Sequence, residues 1–126
     1  LPRFHSPRDL VGDFVEAMRG AGVRAGLYYS GGYDWSYLPE SQQKWATDTK
    51  SFFASSIESD EYIAYVNEHY SELLTRYAPD VLWNDFSIPV NFSKLELFAR
   101  YYDRVPTGVV NDRWNALPEP FQLAKV

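Results

Sequence analysis

The sequence predicts an α/β fold in which crossover helices connect parallel strands. Helix and strand patterns alternate in the order α-β-α-β-α-β, which is typical of a parallel sheet. Turns from helix to strand are short, whereas connections after strands are long, above all residues 31–60. Elaborated loops follow the strands in (β/α)8 barrels. We therefore expect one domain over residues 1–126, made of about three βα units of a partial (β/α)8 barrel. A small doubly wound domain is the alternative.

The first unit begins with a helix-start pattern. Ser6 can cap a helix, Pro7 suits the first helical position, and Asp9 completes a capping box. The apolar stripe that follows consists of Leu10, Phe14, Val15 and Met18. Gly20 and Gly22 end this helix, and residues 23–29 form the predicted first strand.

The second and third units follow the same plan. The second helix is predicted over residues 61–77, with a strand over residues 81–83 after Pro79. The third helix is predicted near residues 93–103, and the last strand over residues 108–110. The third helix is expected to bury Phe92, Leu95, Phe98 and Tyr102.

Composition excludes several classes of function. The formal net charge of −5 argues against nucleic acid as a partner, because phosphate binding needs a basic face. No run approaches the roughly 18 apolar residues that span a membrane. The chain has no cysteine, and His5 and His69 lack metal-ligand spacing, so we expect neither a metal nor a cofactor. His69 is expected to face solvent. Because the chain begins with Leu1 and not with Met, we expect its start to be truncated. A periplasmic or secreted location and a cytoplasmic one are therefore both compatible with the sequence.

Asp85 is the leading candidate for a functional residue. It directly follows a predicted buried strand, and ligands of parallel α/β sheets bind at the carboxyl ends of strands. Asp85 could instead cap a helix or begin a turn. The next helix, however, starts no earlier than Asn91, beyond Pro89, so capping is less natural.

Polar and aromatic side chains follow all three predicted strands. The three segments are Tyr28 to Trp35, Trp83 to Asp85, and Asn111 to Trp114. Aromatic rings stack on the apolar faces of sugars, while carboxylates and arginines hydrogen-bond to hydroxyls, so the pattern suggests a carbohydrate site. For any single aromatic residue, ordinary core packing is the alternative. For Asp112 and Arg113, the alternative is a local ion pair in a turn.

Five segments of the chain form a recognisable set. They are Arg8-Asp9-Leu10-Val11-Gly12, Gly26-Leu27-Tyr28-Tyr29-Ser30-Gly31-Gly32, Asp34-Trp35, Pro79-Asp80-Val81-Leu82-Trp83-Asn84-Asp85 and Val110-Asn111-Asp112-Arg113-Trp114. Together they resemble the α-L-fucosidases of glycoside hydrolase family 29. They cover nearly the whole chain, in the same order and with similar spacing, apart from the region of residues 36–59. Each segment alone is moderate evidence for the family, and the five segments together are specific for it.

The resemblance implies a retaining exo-glycosidase on a (β/α)8-like barrel that removes terminal α-L-fucose from oligosaccharides or glycoconjugates. Asp85 matches the catalytic nucleophile, which forms a covalent fucosyl-enzyme. Tyr28 matches a residue that contacts the nucleophile or the sugar, and Trp83 resembles a wall of the fucose pocket. Arg113 matches a group that reaches toward the active-site carboxylates. Trp35 completes the expected substrate-binding set. Strand alternation agrees, because Trp83 and Asp85 share a face.

No residue of this chain matches the second catalytic carboxylate of the family, the acid/base. Glu119, between Pro118 and Pro120, does not match the context of the family's acid/base. We expect the acid/base either to lie beyond Val126 or to have been lost. We expect the family's histidine-rich pocket residues to lie upstream of Leu1. A non-catalytic sugar-binding or structural module, and a retaining glycosidase for another sugar, remain alternatives. Linkage preference and homo-oligomerisation stay open. Taken alone, the chain should be poorly folded or associate through open strand edges.

Overall fold

The computed structural model describes residues 6–37 and 57–114 of the 126-residue chain. In this part, helices and strands alternate as predicted. The elements are α1 (Leu10–Gly20), β1 (Gly26–Ser30), α2 (Asp60–Glu72), β2 (Val81–Asp85), α3 (Lys94–Arg104) and β3 (Val109–Val110). A 3-10 turn, Trp35–Tyr37, follows β1, and a π-helical turn, Leu73–Tyr77, extends α2.

The described strands form a parallel sheet in the order β1-β2-β3, which confirms the predicted α/β fold. The register places Tyr28 opposite Trp83 and Ser30 opposite Asp85. Strand β2 runs two residues beyond its predicted end, so Asp85 is its last residue. The carboxyl ends of the strands therefore lie at one edge of the sheet, with Asp85 on the central strand.

The helices pack against one face of the sheet, through Leu27, Leu82 and Val110. The larger cluster of buried residues consists of Tyr62, Val66, Tyr70, Leu74, Leu82, Ile88, Phe92, Leu97, Tyr101 and Trp114. The smaller cluster, between α1 and β1, consists of Val15, Ala25, Leu27 and Tyr77. We call this side of the sheet the closed face.

The opposite side of the sheet carries Tyr28, Trp83 and Val109, and we call it the open face. These side chains are 58%, 42% and 50% exposed, respectively. Strand alternation explains the division, because neighbouring residues on a strand point to opposite faces. Parallel sheets normally have both faces covered. The open face is therefore the part of this sheet that needs explaining.

The start of α1 differs from the prediction. The cap is Asp9, not Ser6, because Asp9 accepts a hydrogen bond from the Gly12 N–H at 2.9 Å. The Asp9 carboxylate also accepts from the Tyr77 hydroxyl at 2.8 Å and from Arg76 at 2.6 Å. These contacts cross from α1 to the end of α2, so tertiary structure selects Asp9 over Ser6.

The faces of two helices also differ from their predictions. In α1, Val15 is buried, whereas Leu10 and Phe14 of the expected apolar stripe are exposed. In α3 the buried helical residues are Leu97 and Tyr101. Of the four residues expected to be buried by α3, Phe92 is buried, Phe98 is partly buried, and Leu95 and Tyr102 are exposed.

Two local predictions also need correction. Strand β1 begins at Gly26, later than the predicted residue 23, and Val23 is exposed. His69 does not face open solvent. Its Nδ1 hydrogen-bonds to the Tyr29 hydroxyl at 2.8 Å, and its ring lies 4.1 Å from the Tyr65 ring centre. His69 is therefore half-buried, between Tyr29 of β1 and Tyr65 of α2.

Candidate active site

Asp85 receives hydrogen bonds from three directions at the end of β2. The Arg113 guanidinium, beyond β3, donates to Oδ1 at 2.9 Å and forms an ion pair there. The Phe86 N–H donates to the same oxygen at 2.9 Å. The Tyr28 hydroxyl, from β1, donates to Oδ2 at 3.1 Å. The two carboxylate oxygens are thus held by groups from three separate segments.

These contacts keep Asp85 ionised. Burial raises the pKa of the Asp85 carboxyl, but the hydrogen bonds from Arg113, the Phe86 N–H and Tyr28 outweigh it. The net pKa therefore lies below its usual value. The side chain remains 20% exposed, so its carboxylate is accessible. An ionised, oriented and accessible carboxylate can act as a nucleophile or stabilise a developing positive charge.

Asp85 in turn helps to raise the pKa values of its partners Tyr28 and Arg113. Burial and the hydrogen bond to Asp85 raise the pKa of the Tyr28 hydroxyl, which therefore stays a hydrogen-bond donor. The hydrogen bond to Asp85 also raises the pKa of Arg113. Arg113 does not form the local turn pair with Asp112 that was the alternative; its ion pair is with Asp85.

Two of the predicted aromatic residues lie beside the carboxylate on the open face. Tyr28 and Trp83 are register partners on β1 and β2, and Trp83 lies two residues before Asp85 on the same strand face. They give Asp85 an exposed aromatic surface on one side. Trp35 lies on the 3-10 turn after β1 and is 60% exposed. Among the described residues, no hydrogen bond or ring contact joins Trp35 to Asp85.

Two asparagines that support Asp85 from the closed face and from directly after β3, Asn84 and Asn111, were not among the predicted site residues. Asn84 is fully buried on the closed face, where its Oδ1 accepts from the Tyr70 hydroxyl at 2.6 Å. The Asn111 side chain extends the β2–β3 pairing: its Oδ1 accepts from the Asn84 N–H at 3.0 Å, and its Nδ2 donates to the Asn84 carbonyl at 2.7 Å. An asparagine at an inward position of a buried strand was the available signal, because buried polar groups need partners.

Strain is concentrated directly after Asp85. Phe86 and Ser87 have φ values of 55° and 67°, in the left-handed region that side-chain-bearing residues seldom adopt. Such conformations cost about 1–3 kcal/mol each and occur often at functional sites. This turn aims the Phe86 N–H back at Asp85.

Two clefts between helices are weaker candidates for a functional site, because their arginines already have partners. One cleft of about 540 Å³ lies between α2 and α3, where Arg100 already donates to Ser71 and Asn67. Another, of about 590 Å³, lies beside α1, where Arg76 is paired with Asp9. Arg100 and Arg76 of these two clefts are thus engaged in helix packing. Within residues 6–37 and 57–114 there is no cluster of three metal-ligating side chains and no helix able to cross a membrane.

Comparison with known proteins gives a consistent family match. The family model for alpha-L-fucosidase matches residues 3–122 of this chain. The tissue alpha-L-fucosidase of Rattus norvegicus is 32% identical over 114 residues, which are 85% of this chain and 22% of the relative. Two crystal structures of Thermotoga maritima alpha-fucosidase, one in complex with fucose, each match with 38% identity and a TM-score of 0.75.

The match is nearly complete for this chain and partial for its relatives. Each Thermotoga maritima match covers 86% of this chain and 25% of that chain. The chain therefore spans about a quarter of the length of the solved relatives.

Proposed function

The chain belongs to the alpha-L-fucosidase family, and we propose that it supplies the nucleophile of a retaining exo-α-L-fucosidase. Asp85 is that nucleophile. The observation that carries the proposal is the Asp85 carboxylate at the end of the central strand, held by Arg113, Tyr28 and the Phe86 N–H. The lowered pKa of Asp85 supports it, because only the ionised carboxylate can attack.

In the first step, an Asp85 oxygen forms a bond to the anomeric carbon of fucose. The glycosidic bond breaks, and the leaving oxygen takes a proton from a carboxylic acid about 5 Å away. Water then attacks the fucosyl-enzyme, gives its proton to that same group, and releases fucose and the free Asp85. The acid/base is not assigned. Glu119 lies outside the described residues, and an acid/base beyond Val126, or its loss, stays a prediction.

The sugar would occupy the open face. Trp83 and Tyr28 provide exposed aromatic surface beside Asp85, and the apolar face of a deoxy sugar can pack against such rings. Arg113 would balance the charge of Asp85 before attack and hydrogen-bond to the carboxyl afterwards. The fucose complex of the Thermotoga maritima relative supports this choice of sugar. Trp35, which is exposed on the 3-10 turn after β1, would provide further aromatic surface for the substrate.

The fold is proposed to be part of a (β/α)8-like barrel. The described helices all pack on the closed face, whereas a doubly wound sheet carries helices on both faces. In a barrel, the open face would point inward: its amino-terminal part would be covered by side chains of the other strands, whereas its carboxyl end, with Tyr28, Trp83 and Asp85, would stay open to the sugar. The exposed Leu10 and Phe14 of α1 would then meet a neighbouring unit. Expressed alone, the 126-residue chain should be poorly folded or associate, which thermal melts and analytical ultracentrifugation check; a monomer with a sharp cooperative melt would contradict the barrel proposal.

The test of function is Asp85→Gly in the full-length protein that contains this sequence. We expect hydrolysis of an aryl α-L-fucoside to fall by a factor of about 10⁴ or more, because the covalent step has no substitute. Added azide should restore leaving-group release and give the β-fucosyl azide, since one inversion replaces two. Asp112→Asn is the matched control and should retain parent activity.

The outcomes separate the alternatives. Near-parent activity of Asp85→Gly would show that Asp85 is not the nucleophile. A parent protein that binds fucose without hydrolysing any fucoside would indicate a sugar-binding module. A preference for a different glycoside would identify a retaining glycosidase of another specificity.

A further inference from the structure

Asn84 makes every hydrogen bond that its amide group can make. Its Oδ1 accepts from the Tyr70 hydroxyl at 2.6 Å and from the Gly31 N–H at 3.1 Å. Its Nδ2 donates to the carbonyls of Ser87 at 2.6 Å and Arg113 at 2.8 Å. Because the Gly31 N–H can only donate and the two carbonyls can only accept, the orientation of the amide is fixed.

The two carbonyls belong to the two segments that supply donors to one oxygen of Asp85. Arg113 donates its guanidinium N–H to Asp85 Oδ1 at 2.9 Å, and the amide of Asn84 holds the Arg113 main chain. Phe86 donates its N–H to the same oxygen at 2.9 Å and lies directly before Ser87, which the amide also holds. One buried NH2 group thus connects both segments.

The turn that follows Asp85 needs such support. Phe86 and Ser87 have φ values of 55° and 67°, and strained conformations persist only where their surroundings hold them. The bond from Asn84 to the Ser87 carbonyl holds the turn from the closed face. Gly32 presses against it from another side, because a Cβ at Gly32 would collide with the Phe86 carbonyl oxygen.

We propose that Asn84 is a positioning residue for the reaction, which holds Arg113 and the Phe86 N–H against the nucleophile from the opposite face of the sheet. The inference rests on the proposed function in taking Asp85 as the nucleophile. The Asn84 side chain is buried on the closed face, away from the open face where the sugar is proposed to bind. Its effect passes through the main chain of Arg113 and through the strained turn.

Asn84→Ala in the full-length protein is the direct test. We expect kcat for an aryl α-L-fucoside to fall about tenfold or more with a smaller change in KM, because misplaced groups act mainly on the chemical step. The acidic limb of the kcat/KM profile should move to higher pH. Arg113 and the Phe86 N–H lower the pKa of Asp85, so loosening them raises it. An unchanged pH profile would overturn the proposal.

A pair of tyrosines gives matched variants should Asn84→Ala not fold. Tyr70→Phe and Tyr101→Phe each remove one buried hydroxyl, but only that of Tyr70 contacts Asn84. The Tyr101 hydroxyl lies at the amino-terminal end of the sheet, 3.1 Å from the Pro79 carbonyl oxygen. Both variants should lower the Tm. Tyr70→Phe alone should shift the acidic limb, and equal profiles for the two would contradict the proposal.

Crystal structures of the same variants distinguish this inference from the proposed function. If the parent hydrolyses no fucoside, the proposed function fails. The positioning role is then judged by the contact between Arg113 Nη1 and Asp85 Oδ1. That contact should lengthen beyond hydrogen-bonding distance in Asn84→Ala and stay in place in Tyr101→Phe. A contact retained in Asn84→Ala would refute the positioning role.

Discussion

The closed and open faces of the sheet use neighbouring residues of one strand for different purposes. On the closed face, Leu82 and Asn84 are fully buried, one in apolar contacts and the other in a complete set of hydrogen bonds. On the open face, Trp83 is 42% exposed and Asp85 keeps an accessible carboxylate. Within the described residues, the closed face accounts for the packing, and the open face carries the residues of the proposed chemistry.

Asn84 connects the two faces of the sheet. Asn84 belongs to the closed face by its side chain, yet its amide holds segments that contact Asp85 on the other side. Substitutions on the closed face should therefore change stability alone unless they touch Asn84. Substitutions at the carboxyl end of the open face, where Tyr28, Trp83 and Asp85 lie, should change catalysis with little effect on stability. The predictions that follow concern the full-length protein.

Leu82→Ala and Trp83→Ala test the division most strongly, because they are neighbours on β2. Leu82→Ala should lower the free energy of unfolding by about 2–5 kcal/mol through the cavity it leaves, while kcat per folded molecule stays at the parent value. Trp83→Ala should mainly raise KM. Chemical denaturation and steady-state kinetics of both variants check this. Equal stability losses would mean that the open face is packed like a core.

Arg113→Gln tests the electrostatics of the open face. We expect kcat/KM to fall about 100-fold, because a charged donor to the reacting carboxylate is lost. Arg113 helps to lower the pKa of Asp85, so the pKa rises in the variant and the acidic limb moves to higher pH. A pH-rate profile measures both effects. If the limb stays in place, Arg113 does not set the ionisation of Asp85.

Tyr28→Phe removes one neutral hydrogen bond from Asp85 and keeps the ring. The expected loss in kcat/KM is about tenfold, with a smaller upward shift of the acidic limb than in Arg113→Gln. The KM should change little, since the aromatic surface remains. A loss as large as that of Arg113→Gln would give Tyr28 a greater role than holding one oxygen.

Tyr29→Phe is the matched change on the closed face, one residue along β1. It removes the hydrogen bond to His69 and should lower the free energy of unfolding by about 1 kcal/mol. The activity and its pH profile should match the parent, in contrast to Tyr28→Phe. A kinetic effect comparable with that of Tyr28→Phe would break the division between the faces.

The sequence was sufficient to predict the architecture around β2. Alternation of helix and strand patterns predicted the parallel sheet, and strand periodicity placed Trp83 and Asp85 on one face with Asn84 on the other. Family resemblance added Tyr28 and Arg113, which the structure brings to the Asp85 carboxylate. These features depend on local pattern or on motifs, both of which a sequence displays directly.

Features set by distant partners could not be predicted. Ser6 and Asp9 are both capping residues, and the choice falls on Asp9 because Arg76 and Tyr77 approach it from α2. Helix α3 has apolar residues on more than one side, so the sheet decides that Tyr101 is buried and Tyr102 exposed. The role of Asn84 depends in the same way on contacts that only the folded chain brings together.

Trapping the covalent intermediate on Asp85 tests the proposed role of this residue most directly. The full-length protein would be treated with an activated 2-fluoro-fucosyl donor, whose fluorine slows hydrolysis of the fucosyl-enzyme, and then digested for peptide mass spectrometry. If Asp85 is the nucleophile, one fluorofucosyl group will be found, attached to Asp85. A label on another residue, or turnover with retained configuration and no labelled peptide, would contradict it.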